Sequence, residues 1–186
     1  MKKRLRKFTS NKRHAVARMP VWVTDGINRA VGEPTFDSAE AAARACILAL
    51  ATRTATQINV NTIGKYIAFI RMACLQDDKA GKTGNGHETL WALAVECAAI
   101  YRDALDMVLL GQNAGRDQDD ITMLEVFVNV AHEFMRRHTE HEIAVSWQLL
   151  DTPNTLQLLL GIDPETGEYN ADDGKLDKWF AERAAA

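Results

Sequence analysis

The stretch HEFMRRHTEHE, residues 132–142, holds the densest group of side chains that could bind a metal or move a proton. A zinc-protease helix places two histidines four residues apart, so that both imidazoles share one face. Four residues after the first histidine this chain has Arg136, so that motif is absent. His138 and His141 are three apart and could share a face with Glu142, but two adjacent arginines bring positive charge beside them. We therefore interpret the stretch as a solvated polar helix face that holds no metal.

Two further runs resemble known ligand-binding motifs but do not match them. The glycine-rich run GKTGNG at 81–86 would need another glycine at the place of Gln76 and a buried strand before it to be a phosphate loop. The oxygen-rich run at 168–175 puts Asp173 where an EF-hand needs glycine and Trp179 where it needs glutamate. The serines, none of which lies in the G-x-S-x-G turn of hydrolases, are Ser10, Ser38 and Ser146. The sequence therefore predicts a protein without catalysis, metal or cofactor.

Charge is distributed unevenly along the chain. Residues 1–24 contain eight basic residues and no acid, whereas the remaining 14 basic and 25 acidic residues give the rest a net charge of −11. We predict a basic, extended and flexible arm at 1–20, attached to a single helical domain at 21–186. The basic residues, which are the predicted nucleic-acid or partner-binding residues, are Lys2, Lys3, Arg4, Arg6, Lys7, Lys12, Arg13 and Arg18.

This arm has three possible uses. It could neutralise phosphates of a nucleic acid, and such binding would weaken steeply with salt. No base-reading helix is evident, so those contacts would be to the backbone of the nucleic acid. It could instead be a solvated tail, or dock in an acidic protein groove, including the acidic body of a second copy in a dimer.

Acidic residues of the body fall near predicted helix ends and could gather at one end of the bundle. Such a surface could imitate the phosphates of a nucleic acid and occupy a basic channel on another protein. It could also be an ordinary solvated face. The residues concerned are Asp77, Asp78, Asp103, Asp106, Asp117, Asp119 and Asp120.

Apolar residues recur at helical spacing along most of the chain, and signals for strands are scarce. We predict an all-α bundle of five or six helices, with the second, third and fourth at its core. A short amphipathic segment is expected at 176–183. The predicted starts are near Asp37, after Asn59 or Asn61, near Glu88, at Asp117, near Thr139 and at Thr152–Pro153.

Composition limits the class of protein. With 186 residues, 47% of them hydrophobic and 25% charged, the chain has the balance of one globular domain. No apolar stretch approaches the roughly 20 residues that span a bilayer, and no apolar region follows the first charges as in a secretory signal. Three widely spaced cysteines in apolar patterns indicate a reducing compartment. We expect a soluble, cytoplasmic protein that does not contact membranes.

Three features carry a resemblance: the basic opening at 2–7, the Met19-Pro20-Val21 step and the His-Glu-x-x-x-Arg-His stretch at 132–138. Across residues 1–150 the chain resembles a group of small helical proteins carried by phages and integrated elements of proteobacteria. The resemblance implies an accessory role, such as regulating a mobile element or blocking a host factor by stoichiometric binding. It assigns no functional residues.

These observations lead to two functional hypotheses. The first is a non-enzymatic accessory protein that binds and modulates, or inhibits, a host or element-encoded protein, with homo-oligomers as an open possibility. The alternative is a nucleic-acid-binding protein that contacts phosphates through its basic arm.

Overall fold

A computed structural model describes residues 35–82, 86–151 and 154–169, and helices dominate these ranges. The helices are α1 (Phe36–Ala51), α2 (Gln57–Lys79), α3 (His87–Leu109), α4 (Gln118–Met135), α5 (Glu140–Leu150) and α6 (Thr155–Leu159). The described ranges contain no strand beyond a single antiparallel bridge between Ile162 and Tyr169. None of their helices combines the length and the apolarity that crossing a bilayer requires. The predicted all-α bundle is confirmed, whereas the predicted arm lies outside the described residues.

Short connections make consecutive helices antiparallel, and the first four form a ring. Helix α1 packs on α2 and α4, and α3 packs on the same two helices from the other side. Helices α5 and α6 both pack on α2. The loops at 52–56 and 110–117 therefore lie at one end of the four-helix ring, and the α2–α3 and α4–α5 connections lie at the other.

Helix α2 is the centre of the core because it meets four other helices. From Tyr66 to Cys74 every residue is buried, so this segment lacks the polar face of an ordinary surface helix. The ring of Phe69 stacks on Trp147 of α5, with centroids 4.2 Å apart and planes 8° apart. A Cβ atom on Gly64 would lie 2.5 Å from the Tyr101 ring, so glycine here permits α2 and α3 to pack closely.

A buried arginine joins three helices. Arg71 of α2 is 2% exposed and donates a hydrogen bond of 2.5 Å to the carbonyl oxygen of Leu159 at the end of α6. Its guanidinium also lies 4.2 Å from the ring centroid of Trp91 on α3. The arginine thus satisfies a helix-terminal carbonyl and packs on an aromatic face at the same time.

Several predicted helix starts need correction, because a threonine takes the capping position. Thr35, not Asp37, caps α1, and its hydroxyl accepts from the backbone N–H of Ser38. Helix α2 begins after Thr56, and Asn59 is the third helical residue of a capping box. Asp117 does cap α4 as predicted. The start of α3 is within one residue of its prediction, and a new helix does begin after Thr139.

Candidate functional site

Two loops meet at the end of the bundle that we call the acidic end, formed by the last turns of α1 and α3, the first turns of α2 and α4 and the loops between them. The backbone N–H of Arg116 donates to the carbonyl oxygen of Leu50 at 3.3 Å. The amide of Asn113 donates to the carbonyl oxygen of Arg53 at 3.0 Å. A Cβ on Gly115 would lie 2.4 Å from Cγ of Arg53, so the approach of the two loops depends on glycine.

Aspartates from two helices share this end. Asp103 and Asp106 are exposed on α3, and Asp119 is exposed in the first turn of α4. Partial burial raises the pKa of Asp120, and the negative charges of Asp117, Asp103 and Asp119 raise it further, against the opposing effect of Arg116. Since the charge of Asp103 acts on Asp120, these two acids of the packed helices α3 and α4 lie near each other.

The same end carries most of the exposed large hydrophobic side chains. Six such residues occur among the described ranges, and four of them lie in the first or last turns that form the acidic end. Leu109 and Leu110 are neighbours at the end of α3, where Gly111 adopts a positive φ of 68° and ends the helix. The four, with their exposed fractions, are Leu48 (64%), Ile58 (77%), Leu109 (63%) and Leu110 (71%).

The opposite end, which we call the histidine end, contains His87, His138, Asp77, Asp78, Lys82 and Glu142. Nε2 of His138 lies 3.2 Å from Oδ2 of Asp77, and both side chains are largely buried, at 6% and 13% exposed. The distance is that of an ion pair, but the ring is not oriented for a hydrogen bond from Nε2. Nδ1 of His138 donates to the carbonyl oxygen of Phe134 at 3.2 Å and fixes the ring.

The second histidine of this end ties α3 to α2. Nε2 of His87 donates to the carbonyl oxygen of Cys74 at 2.8 Å and lies 3.6 Å from Oδ1 of Asp78. Burial raises the pKa of the Cys74 thiol to about 12, and the nearby charges of Asp77 and Asp78 raise it further. Cys74 therefore stays a thiol near neutral pH and is a poor nucleophile.

An ion pair bridges the α2–α3 connection and α5. The ammonium of Lys82 contacts Oε1 of Glu142. Oε2 of Glu142 accepts from both the backbone N–H and the hydroxyl of Thr139, which completes a capping box for α5. The hydrogen bond from Lys82 lowers the pKa of Glu142 most, the two from Thr139 lower it further, and together they bring it to about 2.

A third cluster lies on the flank of α1 and α4. Nδ1 of His132 lies 2.7 Å from Oε2 of Glu40, and Nε of Arg44 lies 2.8 Å from the other carboxylate oxygen. Burial would raise the pKa of Glu40, but the hydrogen bonds and charges of these two cations outweigh it and lower the pKa. With its side chain 38% exposed, His132 is a carboxylate-oriented imidazole that reaches solvent. This arrangement could transfer a proton.

The three histidines of the HEFMRRHTEHE stretch are thus separated by the fold. His132 pairs with Glu40, His138 is buried beside Asp77, and His141 is exposed. Our interpretation of a solvated polar face was wrong for His138, because the turn after α4 directs its ring inward. Within the described ranges, no group of three histidines, cysteines or acids is placed to hold a metal ion.

The other predictions have mixed outcomes. The eight basic residues predicted as a binding site, from Lys2 to Arg18, lie outside the described residues. The acids do not gather at one end: five lie at the acidic end, while Asp77 and Asp78 lie at the histidine end. The rejection of a phosphate loop is supported, because the segment before Gly81 is helix α2 and not a strand.

The sequence analysis did not single out Leu109 and Leu110 as exposed residues. It also grouped Asp77 and Asp78 with the other acids, whereas both lie in the last turns of α2 at the histidine end. The glycine at 111 was the available signal that α3 ends there and leaves both leucines at a helix terminus.

Comparison with known proteins adds no relative: no family model, curated protein or solved structure matches the chain.

Proposed function

We propose that the protein acts by binding, without catalysis, and modulates or inhibits a host or element-encoded protein through its acidic end. One observation carries the proposal: Leu109 and Leu110 are both more than 60% exposed, side by side, at an end that also exposes Leu48 and Ile58. Isolated exposed leucines are common on proteins, but a concentration of apolar side chains rimmed by charge is typical of protein-binding surfaces.

The described side chains also favour binding over catalysis. Burial raises the pKa of Cys97 to about 12, as it does that of Cys74, so neither thiol is activated as a nucleophile. His87 and His138 are buried and packed against backbone carbonyls. Among the histidines that the structure describes, His132 is the one that a carboxylate orients while its ring reaches solvent, and an enzyme would be expected to depend on it.

A pull-down with the full chain tests the proposal. Leu109→Ser with Leu110→Ser removes the central apolar pair, while Val126→Ser is a matched control because Val126 is 43% exposed in the middle of α4. We expect a partner captured at one-to-one stoichiometry by the parent and by the control, and lost by the double variant. Equal capture by all three proteins would contradict the proposal. A hydrolytic activity that disappears in His132→Ala would replace it with an enzymatic function.

A second function rests on the sequence alone. Eight basic residues and no acid in residues 1–24 favour binding to nucleic acid phosphates. We expect the parent to bind a fluorescent DNA or RNA duplex with an affinity that falls as salt is added. A variant with alanine at five basic positions is expected to lose this binding; the positions are Lys2, Lys3, Arg4, Arg6 and Lys7. The leucine variant above is expected to leave that binding unchanged. No duplex binding by the parent at low salt would remove this second function.

A further inference from the structure

We infer that the acidic end receives a basic amphipathic segment of a protein, in which lysines or arginines flank a row of apolar side chains. This inference rests on the proposed function and specifies the chemistry of the partner. It combines two independent properties of the surface, its exposed apolar side chains and its excess of aspartates.

Most aspartates of this end have no cation within ion-pair distance, although the charges of Asp103 and Asp106 act on the guanidinium of Arg102, which packs on the ring of Tyr169. Asp103, Asp106 and Asp119 take part in none of the ion pairs found within the described ranges. Asp120 has the one pairing, with Nη1 of Arg116 at 4.0 Å. Like charges held together raise each other's electrostatic energy, so a cationic segment placed among them relieves repulsion as well as forming new ion pairs.

The spacing on α3 interleaves acid and apolar groups. Asp103, Asp106 and Leu110 follow at intervals of three and four residues, so they lie along one face of the helix, and all three are exposed. Leu109 lies three residues after Asp106 and widens the face. A helix that docks apolar side chains on the leucines would carry its flanking cations to the aspartates.

Charge also decides between possible occupants. A nucleic acid would bring its phosphates against the aspartates, and a second acidic end would bring more carboxylates. A purely cationic segment would leave the leucines in water and gain little from exposed ion pairs alone. The combination of apolar and basic groups fits both properties at once.

The test uses the purified full chain and three fluorescein-labelled synthetic peptides of about 18 residues. The first carries leucines at helical spacing flanked by lysines, the second has serine for leucine, and the third has glutamate for lysine. Fluorescence anisotropy measures binding at about 50 and 200 mM salt. We expect the lysine–leucine peptide to bind at least about tenfold more tightly than either of the others.

Two charge variants locate the binding. Asp103→Asn with Asp106→Asn removes two charges at the acidic end, and Glu88→Gln with Glu133→Gln removes two exposed charges at the opposite end. We expect the first pair to weaken binding about fivefold at low salt and to flatten its salt dependence. The second pair should change the binding affinity for the lysine–leucine peptide by less than about twofold. Circular dichroism and thermal melting confirm that each variant is folded.

Four outcomes overturn the inference. Equal weakening by both charge pairs means that net charge, not this surface, attracts the peptide. Equal binding of the serine peptide means that the leucines are not contacted. Self-association of the full chain that Leu109→Ser with Leu110→Ser abolishes means that a second copy is the occupant. Capture of a partner that depends on the leucines but not on Asp103 and Asp106 would leave the proposed function intact and remove only its basic partner.

Discussion

At the histidine end, the carboxylates of Asp77, Asp78 and Glu142 each lie within 4 Å of an imidazole or a lysine. Among the described acids of the acidic end, only Asp120 lies that close to a basic side chain, that of Arg116. The first end joins four helices through contacts that range from the buried pair of Asp77 and His138 to the exposed ammonium of Lys82. The second leaves aspartates and leucines in water. Carboxylates that contact an imidazole or a lysine help to hold the helices together, whereas like charges left together cost stability but remain available to a partner.

The largest expected difference between the ends comes from the same substitution made at each. Asp77→Ala leaves the buried ring of His138 without its carboxylate and should reduce the free energy of unfolding by about 3 kcal/mol. Asp103→Ala removes an exposed acid from a group of like charges and should change the free energy of unfolding by less than about 0.5 kcal/mol. Urea denaturation followed by circular dichroism measures both.

A double change makes this comparison sharper. When His138 is replaced by alanine in the Asp77→Ala protein, the added loss should be smaller than the loss caused by His138→Ala alone, because the pair has already been broken. Strictly additive losses would show that the two side chains, although 3.2 Å apart, do not stabilise each other.

Glu142 provides a second contrast, through pH. Its pKa is lowered to about 2 from 4.5, so its stabilising effect is complete above pH 4.5 and is lost as the pH falls toward 2. Glu142→Ala removes both the ion pair and the capping box, and should cost about 1 kcal/mol at pH 7. The difference in unfolding free energy between parent and variant should shrink between pH 4.5 and 2. A difference that stays constant over this range would show that the charge of Glu142 does not contribute.

The sequence predicted the helices well because each depends on local information. Helical spacing of apolar residues identified α3 and α4 nearly to their ends, and Gly111 correctly indicated where α3 stops. Capping was less predictable. Thr35 and Asp37 are both good capping residues; Thr35 takes the position, and Phe36 is the first helical residue and is buried in the core.

The sites were less predictable because they depend on contacts between distant segments. Asp77 and His138 are 61 positions apart, and nothing local indicates that the turn after α4 brings the imidazole to the end of α2. Glu40 and His132 are separated by 92 positions in the same way. The acidic end was partly predicted, since Asp117 and Asp119 flank a recognisable helix start, but its alignment with Asp103 required the antiparallel packing of α3 and α4.

The smallest expected effect on the free energy of unfolding comes from Asp120, and its sign is opposite to that of Glu142. The pKa of Asp120 is raised by burial and by the aspartates around it, so its ionised form costs stability at neutral pH, and this cost disappears as the pH falls below 3.8. Asp120→Asn should therefore raise the unfolding free energy by about 0.5 kcal/mol or less at pH 7 and low salt. Asp37→Asn, in the first turn of α1, is the matched control and should lower it slightly, because that acid interacts favourably with the helix dipole. Thermal melting at low and high salt measures both, and the gain from Asp120→Asn should decrease as salt screens the repulsion. A loss of stability in Asp120→Asn would mean that Arg116 already balances the charges of the acidic end, and that a cationic partner would have little repulsion left to relieve.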